Sequence, residues 1–225
     1  MDIWEIFRNY HQYFLRGTAT TVIVSLITVL FGFILGCVIA LLRMSKSKLL
    51  STFGKLYITV LRGTPLLVQL YIVYYQLDFI PYPKMMVLGI ALERALPCAI
   101  ALSLNSAAYV AEIIRSGIQA VDFGQTEAAY SIGMTKAQIF FRIILLQVIK
   151  RILAPMSNEI ITLVKDTSLA RTIAVYEIIW NAQALIKLEG ILWPLFYTAA
   201  FYLAFNGLLT LLFSAAEKKL DYYRG

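Results

Sequence analysis

Charged residues are scarce in this chain of 225 residues. Only 15% of them are Asp, Glu, Lys or Arg, whereas a soluble domain carries about a quarter. Histidine occurs once and cysteine twice, so neither a disulfide framework nor a metal site is indicated. A Cys/His/Asp or Ser/His arrangement for nucleophilic catalysis is also lacking. The scarcities exclude an ordinary soluble enzyme and predict no catalytic residue and no bound metal on this chain.

Long apolar runs take the place of charge. Residues 17–42 and 190–216 contain no charged side chain, and ~20 residues of helix cross the ~30 Å hydrocarbon core of a bilayer. Shorter runs are interrupted by Arg62 and Glu159. We therefore predict an all-α integral membrane protein, one domain over residues 1–225, with five transmembrane helices. These spans lie at approximately 18–42, 56–77, 95–114, 150–166 and 190–215.

The distribution of Lys and Arg orients the five predicted spans. With the N-terminus outside, the cytosolic segments 43–62, 112–151 and 217–225 hold 13 of the 20 Lys and Arg residues. The outer segments hold the other 7. Cytosolic enrichment of positive charge is the usual orientation rule. The formal charge of +7 is explained by this topology and by anionic lipid headgroups, so no nucleic-acid partner is predicted.

A polar stretch between the third and fourth predicted spans, residues 118–142, has its own helix signals. Asp122 with Gln125 three residues later is typical of a helix N-terminus, and Thr135 with Gln138 repeats the pattern. Gly133 lies between the two starts, where a left-handed residue would end the first helix. We expect two short cytosolic helices joined by a bend at Gly133.

The same stretch carries a spaced motif. It consists of Glu127, Ala128 and Ala129, three residues, Gly133, nine residues, Ile143, one residue, and then Leu145 and Leu146. This pattern resembles the coupling loop by which permeases of bacterial ABC importers dock onto their ATPase, except that Leu146 replaces the proline of the family. The resemblance implies ATPase coupling through Glu127, Ala128, Ala129 and Gly133. The alternative is an amphipathic helix lying on the lipid headgroups.

Three more stretches, at 61–69, 103–112 and 158–169, resemble the permeases of the polar amino-acid uptake subfamily. The resemblance implies a permease of the bacterial plasma (inner) membrane. It further implies a second permease copy or paralogue, two ATPase subunits, an extracytoplasmic solute-binding protein and an amino-acid substrate. No cofactor is expected on this chain. ATP and Mg would bind the partner ATPase, because Gly54 and Lys55 are followed by Leu56 and form no P-loop.

Polar residues within the predicted spans are candidates for the solute path, because such residues usually face a bundle interior. They are Gln69, Asn105, Tyr109, Glu159, Thr162 and Asp166. If their faces converge, they offer acceptors for an ammonium group and donors for a carboxylate. The alternative for Asn105 and Thr162 is hydrogen bonding between helices, and for Asp166 an ion pair with Lys165.

Two alternatives compete with an ABC importer of amino acids. One is a secondary carrier, although such folds commonly show inverted repeats and more spans, and no repeat is visible here. The other is an ABC permease for another small polar solute. Residues 62–65 predict either a broken helix start at Pro65 or a gate element that contacts a binding protein or lipid.

Overall fold

The structure, a computed structural model, describes residues 3–77, 86–87 and 90–220, and within these ranges the fold is built from α-helices. The helices are α1 (Ile3–Arg43), α2 (Lys48–Gly63), α3 (Leu66–Leu77), α4 (Leu92–Gln119), α5 (Phe123–Ser131), α6 (Lys136–Ile139), α7 (Leu145–Asp166), α8 (Ile178–Glu189) and α9 (Trp193–Leu220). A π-helical segment (Phe140–Ile144) joins α6 to α7, and a 3₁₀ segment (Thr167–Ile173) follows α7. Two short strands, β1 (Met86–Val87) and β2 (Ile90–Ala91), pair antiparallel.

Helices α1 and α4 form the most extensive contact of the fold. Small residues on both helices allow this approach. A Cβ atom added at Gly36 would lie 2.5 Å from Cγ1 of Val110, and one at Gly32 would lie 3.2 Å from Cβ of Ser106. Since real Cβ atoms do not approach so closely, glycine at position 36 is required by the packing. The α1–α4 pair is therefore the centre of the fold, and α2, α3, α7 and α8 pack against one or both of its helices.

Two buried apolar clusters surround this pair. The first joins α1, α3, α4 and the segment after α7; its buried members are Val24, Leu70, Cys98, Ala101, Leu102, Ala170, Ile173 and Val175. The second contains Ile39, Ala40, Ile58 and Ala111 and attaches α2 to the same two helices. Lipid is as apolar as these side chains, so close van der Waals packing, rather than removal from water, stabilises contacts between helices in a membrane. Packing in the two clusters therefore holds α2 and α3 against α1 and α4.

In the part of the chain that the structure describes, three helices are long and apolar enough to cross a membrane, Tyr10–Arg43, Arg94–Gln119 and Trp193–Leu220, and the bent pair of α2 and α3 would be a fourth candidate if it forms one span. The three helices contain the predicted spans 18–42 and 95–114 and most of 190–215. The predicted span 150–166 lies within α7, which does not meet the same test among the described residues. Part of the predicted outer segment 78–94 lies outside the described residues. The count of five spans and their orientation remain predictions.

The predicted span 56–77 consists of two helices rather than one. Helix α2 ends at Gly63, α3 begins at Leu66, and the two meet at an angle of 108°. Thr64 is extended, with φ −115° and ψ 146°, as expected for a residue before proline. Pro65 has no N–H to continue the hydrogen bonds of α2. We call this interruption, residues 64–65, the Pro65 break.

The connection between α7 and α9 contains helix α8 and a 3₁₀ segment. Helix α8 packs on α1, where a Cβ atom at Gly17 would lie 2.9 Å from Cα of Ile178. The backbone N–H of Ile178 also donates to Oγ1 of Thr21, at 3.3 Å. Ala174 adopts a left-handed conformation (φ 55°) just before α8. The connection therefore packs against the membrane helices and does not loop away from them.

Candidate coupling loop and solute path

Helix α5 begins where the sequence predicts. Asp122 is extended and its Oδ1 accepts the backbone N–H of Gly124 at 2.8 Å, which satisfies one of the free donors of the first turn. Gln125 does not complete a capping box with Asp122. Its side chain instead accepts a hydrogen bond from Gln147 on α7. Helix α5 is thus capped by Asp122 and attached to α7 by the two glutamines.

Gly133 ends this first short helix in the predicted left-handed conformation, with φ +82°. The backbone N–H of Gly133 donates to the carbonyl of Tyr130 at 2.9 Å, and that of Met134 donates to the carbonyl of Ala129 at 3.1 Å. These two bonds form a Schellman motif. The motif reverses the chain and brings it to the second short helix, as the sequence predicts.

The second short helix starts with a complete capping box. Oγ1 of Thr135 accepts the N–H of Gln138, and Oε1 of Gln138 accepts the N–H of Thr135. Helix α6 then continues through the π-helical segment into α7 without a break. Leu146, which retains its N–H, lies inside α7 where the family proline would interrupt the hydrogen bonds. The absence of the proline therefore agrees with the uninterrupted helix that leads into α7.

The loop formed by residues 118–142 exposes both its polar and its apolar side chains. Glu127 and Ala128 are exposed, whereas Ala129 is only 3% exposed. Phe123 is 71% and Ile132 is 77% exposed. Large exposed apolar side chains rimmed by polar ones mark a surface for another protein or a membrane. The small Ala128 side chain on this face permits close approach of a partner.

Two of the predicted path residues, Gln69 and Asn105, meet at the Pro65 break. Nδ2 of Asn105 donates to Oε1 of Gln69 at 2.9 Å and also reaches the carbonyl of Leu61 at 3.3 Å. Nε2 of Gln69 lies 2.8 Å from the same carbonyl. Gln69 is buried and Asn105 half-buried. The structure thus brings α2, α3 and α4 together through these two amides.

Glu159 contacts α4 at a different point. Its carboxylate accepts a hydrogen bond from Oγ of Ser106, at 3.2 Å. The two residues belong to a crevice between α1, α4 and α7, whose other lining residues are Val29, Phe33, Val110, Met156 and Ile160. Ser106 was not among the predicted site residues. The sequence signal that could have found it is a hydroxyl side chain within an apolar span.

The other predicted path residues are less closely grouped. Tyr109 is half-buried and faces Arg62, whose Cζ atom lies 5.0 Å from the ring centroid. Thr162 is exposed and Asp166 is half-buried, so the two do not share one environment with Glu159. Within the described residues, no group of three or more His, Cys, Asp or Glu side chains could hold a metal ion.

Glu177 is a buried carboxylate that the sequence analysis missed. Its two oxygens accept the backbone N–H groups of Ile179 and Trp180 at 2.8 and 2.6 Å, so it caps α8. Only 1% of the residue is exposed. Burial raises the pKa of Glu177 from 4.5 to about 7, against the lowering effect of these hydrogen bonds and of Arg171. The residue lies outside the predicted spans but within the packed interior.

Comparisons with known proteins agree with this architecture. The family model of the binding-protein-dependent transport system inner membrane component matches residues 28–222. A putative glutamine transport system permease protein of Rickettsia felis is 34% identical, over 92% of this chain and 93% of its own length. An L-cystine transport system permease protein of Bacillus subtilis is 39% identical, over 92% of this chain and 86% of its own.

Solved structures extend the comparison to three dimensions. A structure described as an amino acid ABC transporter with histidines superposes with a TM-score of 0.85 at 34% identity, covering 97% of this chain and 99% of its own. The MetNI methionine ABC transporter shares the fold, with a TM-score of 0.76 at 13% identity, covering 98% of this chain and 100% of its own. The matched family consists of ABC importer components, so the ABC permease is confirmed and the secondary carrier is wrong. This chain belongs to the family of binding-protein-dependent transport system inner membrane components, the permease subunits of ABC importers.

Proposed function

We propose that this permease subunit serves an ATP-driven importer of amino acids in the bacterial plasma membrane. It acts with a second permease copy or paralogue, two ATPase subunits and an extracytoplasmic solute-binding protein. Amino-acid cargo is supported by the relatives, whose names specify glutamine and cystine. Octopine, named for a permease of Rhizobium radiobacter that is 40% identical over 90% of this chain and 84% of its own, also contains an α-amino acid unit.

The observation that carries the proposal is the helical hairpin at residues 118–142. Its bend is fixed by Gly133 and by two backbone hydrogen bonds, and its outer surface exposes Phe123 and Ile132. A hairpin with exposed apolar side chains suits insertion into a cleft on an ATPase. We assign Glu127, Ala128, Ala129 and Gly133 to this coupling: Glu127 and Ala128 face the ATPase, Ala129 packs beneath them, and Gly133 sets the bend. ATP and Mg bind the ATPase, and this chain carries no catalytic residue.

The proposed topology has five spans with the N-terminus outside. The Pro65 break is counted within the second span, and α7 provides the fourth. The inside location of the hairpin is supported by the excess of Lys and Arg in segments 43–62, 112–151 and 217–225. This arrangement places the hairpin on the side where ATP is available.

The proposed solute path runs along α3, α4 and α7. Gln69, Asn105, Tyr109, Glu159, Thr162 and Asp166 are assigned to its wall. Support comes from the crevice at Glu159 and Ser106 and from the cost of placing a carboxylate within a membrane without a function. A carboxylate and several amides and hydroxyls suit the ammonium and carboxylate groups of an α-amino acid.

The ATPase contact is tested by affinity copurification of the tagged chain in mild detergent, with ATP hydrolysis measured on the purified material. We expect an ATPase to copurify with the parent chain and to be lost with Glu127→Lys, because the exposed Glu127 lies on the proposed contact surface. Glu217→Lys is the matched control, since it makes the same charge change near the end of α9. Equal recovery of the ATPase with both variants would contradict the assignment of the hairpin.

The cargo is tested separately. The complex is reconstituted in liposomes with its solute-binding protein, and uptake of labelled basic, neutral and acidic amino acids is compared with that of a sugar. Uptake of at least one amino acid in an ATP-dependent manner is expected. ATP-dependent uptake of the sugar alone would refute amino-acid cargo while leaving the family assignment unchanged.

A further inference from the structure

The Pro65 break leaves backbone carbonyls of α2 without helical partners. The carbonyl of Leu61 would normally accept the N–H of residue 65, but Pro65 has none. The carbonyl of Thr64 also precedes the start of α3. Unsatisfied carbonyls in a membrane cost several kcal/mol each, so neighbouring side chains must satisfy them where a helix is broken.

The side-chain amide of Gln69 satisfies these carbonyls. Its Nε2 atom lies 2.8 Å from the carbonyl of Leu61, 3.0 Å from that of Thr64 and 2.7 Å from Oγ1 of Thr64. Backbone carbonyls only accept hydrogen bonds, so the nitrogen of Gln69 must face the break and its Oε1 must face away. The orientation of the amide is therefore determined by its partners.

Asn105 connects this arrangement to α4. Its Nδ2 atom donates to Oε1 of Gln69 at 2.9 Å and lies 3.3 Å from the carbonyl of Leu61. Oε1 is free to accept this hydrogen bond because the nitrogen of the same amide faces the break. From Asn105, α4 continues without interruption to Gln119. At 1.5 Å per residue these 14 residues span about 21 Å. The next helix is α5, which opens the hairpin.

We propose that Gln69 and Asn105 are positioning residues that transmit movement of the coupling hairpin, through α4, to the Pro65 break. The proposal rests on the proposed function, because it needs an ATPase that moves the hairpin. The two amides act on the solute through the shape of the path wall, since the hydrogens of the Gln69 amide are engaged at the break. Tyr109, Glu159, Thr162 and Asp166 are left to face the solute.

The substitution Gln69→Glu separates this role from direct solute binding. Glutamate has nearly the same shape, but its side chain donates at most one hydrogen when protonated and none when ionised, so it cannot satisfy the carbonyls of both Leu61 and Thr64. A residue that binds the ammonium group of the solute would retain or improve that function as a carboxylate. A residue that holds the break would lose its function. Gln76→Glu is the matched control, because Gln76 is exposed on the same helix.

The measurement is the number of solute molecules transported per ATP hydrolysed by the reconstituted complex. With Gln69→Glu we expect ATP hydrolysis to remain stimulated by the loaded binding protein while this ratio falls about tenfold, within the usual range of coupling between sites. The fall should be the same for every transported amino acid. The proposal would be overturned if Gln69→Glu transported as many solute molecules per ATP as the parent. This includes the case in which only KM changes, by different amounts for different amino acids.

A second variant covers the case in which Gln69→Glu fails to insert or assemble. Asn105→Ala removes only the hydrogen bonds of the Asn105 amide to Gln69 and to the carbonyl of Leu61, and the contacts of Gln69 with the carbonyls of Leu61 and Thr64 remain. We expect normal assembly and a similar fall in solute transported per ATP. Parental coupling in Asn105→Ala would refute the proposal. If the parent complex itself transports no amino acid, the proposed function fails instead, which is a distinct outcome.

Discussion

Gly133→Ala should weaken the docking of the ATPase through the backbone of the hairpin alone. Gly133 has φ +82°, and a Cβ atom added there meets no atom of this chain within 4 Å. The substitution therefore introduces no clash within the chain, and its cost is the left-handed conformation, roughly 1–2 kcal/mol for a residue with a Cβ atom. Without the ATPase, the Gly133→Ala hairpin would relax from the bent form. Docking would then have to restore the bend, so the free energy of binding would be less favourable by that cost.

A penalty of roughly 1–2 kcal/mol corresponds to an apparent affinity for the ATPase that is lower by about 5- to 30-fold. The assay is a titration of the reconstituted permease with purified ATPase, with stimulated ATP hydrolysis as the readout. The maximal rate at saturating ATPase should approach that of the parent. Gly133→Asn should lose less affinity for the ATPase than Gly133→Ala, because asparagine occupies left-handed conformations more readily than alanine.

The control is Gly207→Ala. Gly207 lies within α9 and a Cβ atom there also meets nothing within 4 Å, but it has an ordinary helical conformation, so alanine should not weaken docking. The reasoning would be refuted if Gly133→Ala bound the ATPase as tightly as the parent. It would also be refuted if Gly133→Asn were weaker than Gly133→Ala, because the left-handed backbone would then not be the cause.

Two further predictions concern the packed interior. The pKa of Glu177 is raised from 4.5 to about 7, so the folded protein favours the protonated form of this residue. The free energy of unfolding is therefore greatest below pH 4.5 and declines as the pH rises through about 7, by about 3 kcal/mol in total. The thermal midpoint in detergent should fall between pH 5 and pH 8, and Glu177→Gln should flatten that dependence; an unchanged pH dependence in the variant would exclude Glu177 as its source. Gly36→Ala should lower the midpoint by overpacking, at a cost of about 1–3 kcal/mol, and Val110→Ala should restore part of it in the double variant. Simply additive losses would show that these two side chains do not compete for the same space.

The sequence predicted the hairpin well because its determinants are local. Asp122, Thr135 and Gly133 act on the backbone within three residues of themselves, through caps and a left-handed turn. Pro65 likewise predicted a broken helix start by its own chemistry. Such signals do not depend on how distant segments pack, so they can be read without knowledge of the fold.

The remaining features depend on long-range packing. The 108° angle at the Pro65 break and the pairing of Gln69 with Asn105, 36 residues away, follow from how α3 lies on α4. The capping hydrogen bonds of Glu177 are local, but its burial depends on α8 packing against Gly17 of α1. The spacing of the apolar residues Ile178, Ala182 and Leu185 at i, i+4 and i+7 was a usable sign of α8, but it indicates no partner.

Helix α9 is longer than the membrane it is proposed to cross. Its 28 residues measure about 42 Å at 1.5 Å per residue, against a hydrocarbon thickness of about 30 Å. None of its most apolar window is fully buried within the chain, although α9 packs on α7 and α8 and the ring of Tyr197 lies 4.2 Å from that of Phe14 on α1. An excess of about 12 Å is accommodated by tilting, or by extending the end with Lys218 and Lys219 into the headgroups. The inclination of α9 is therefore set by lipid thickness together with these contacts, which makes the bilayer itself a determinant of the shape of this permease.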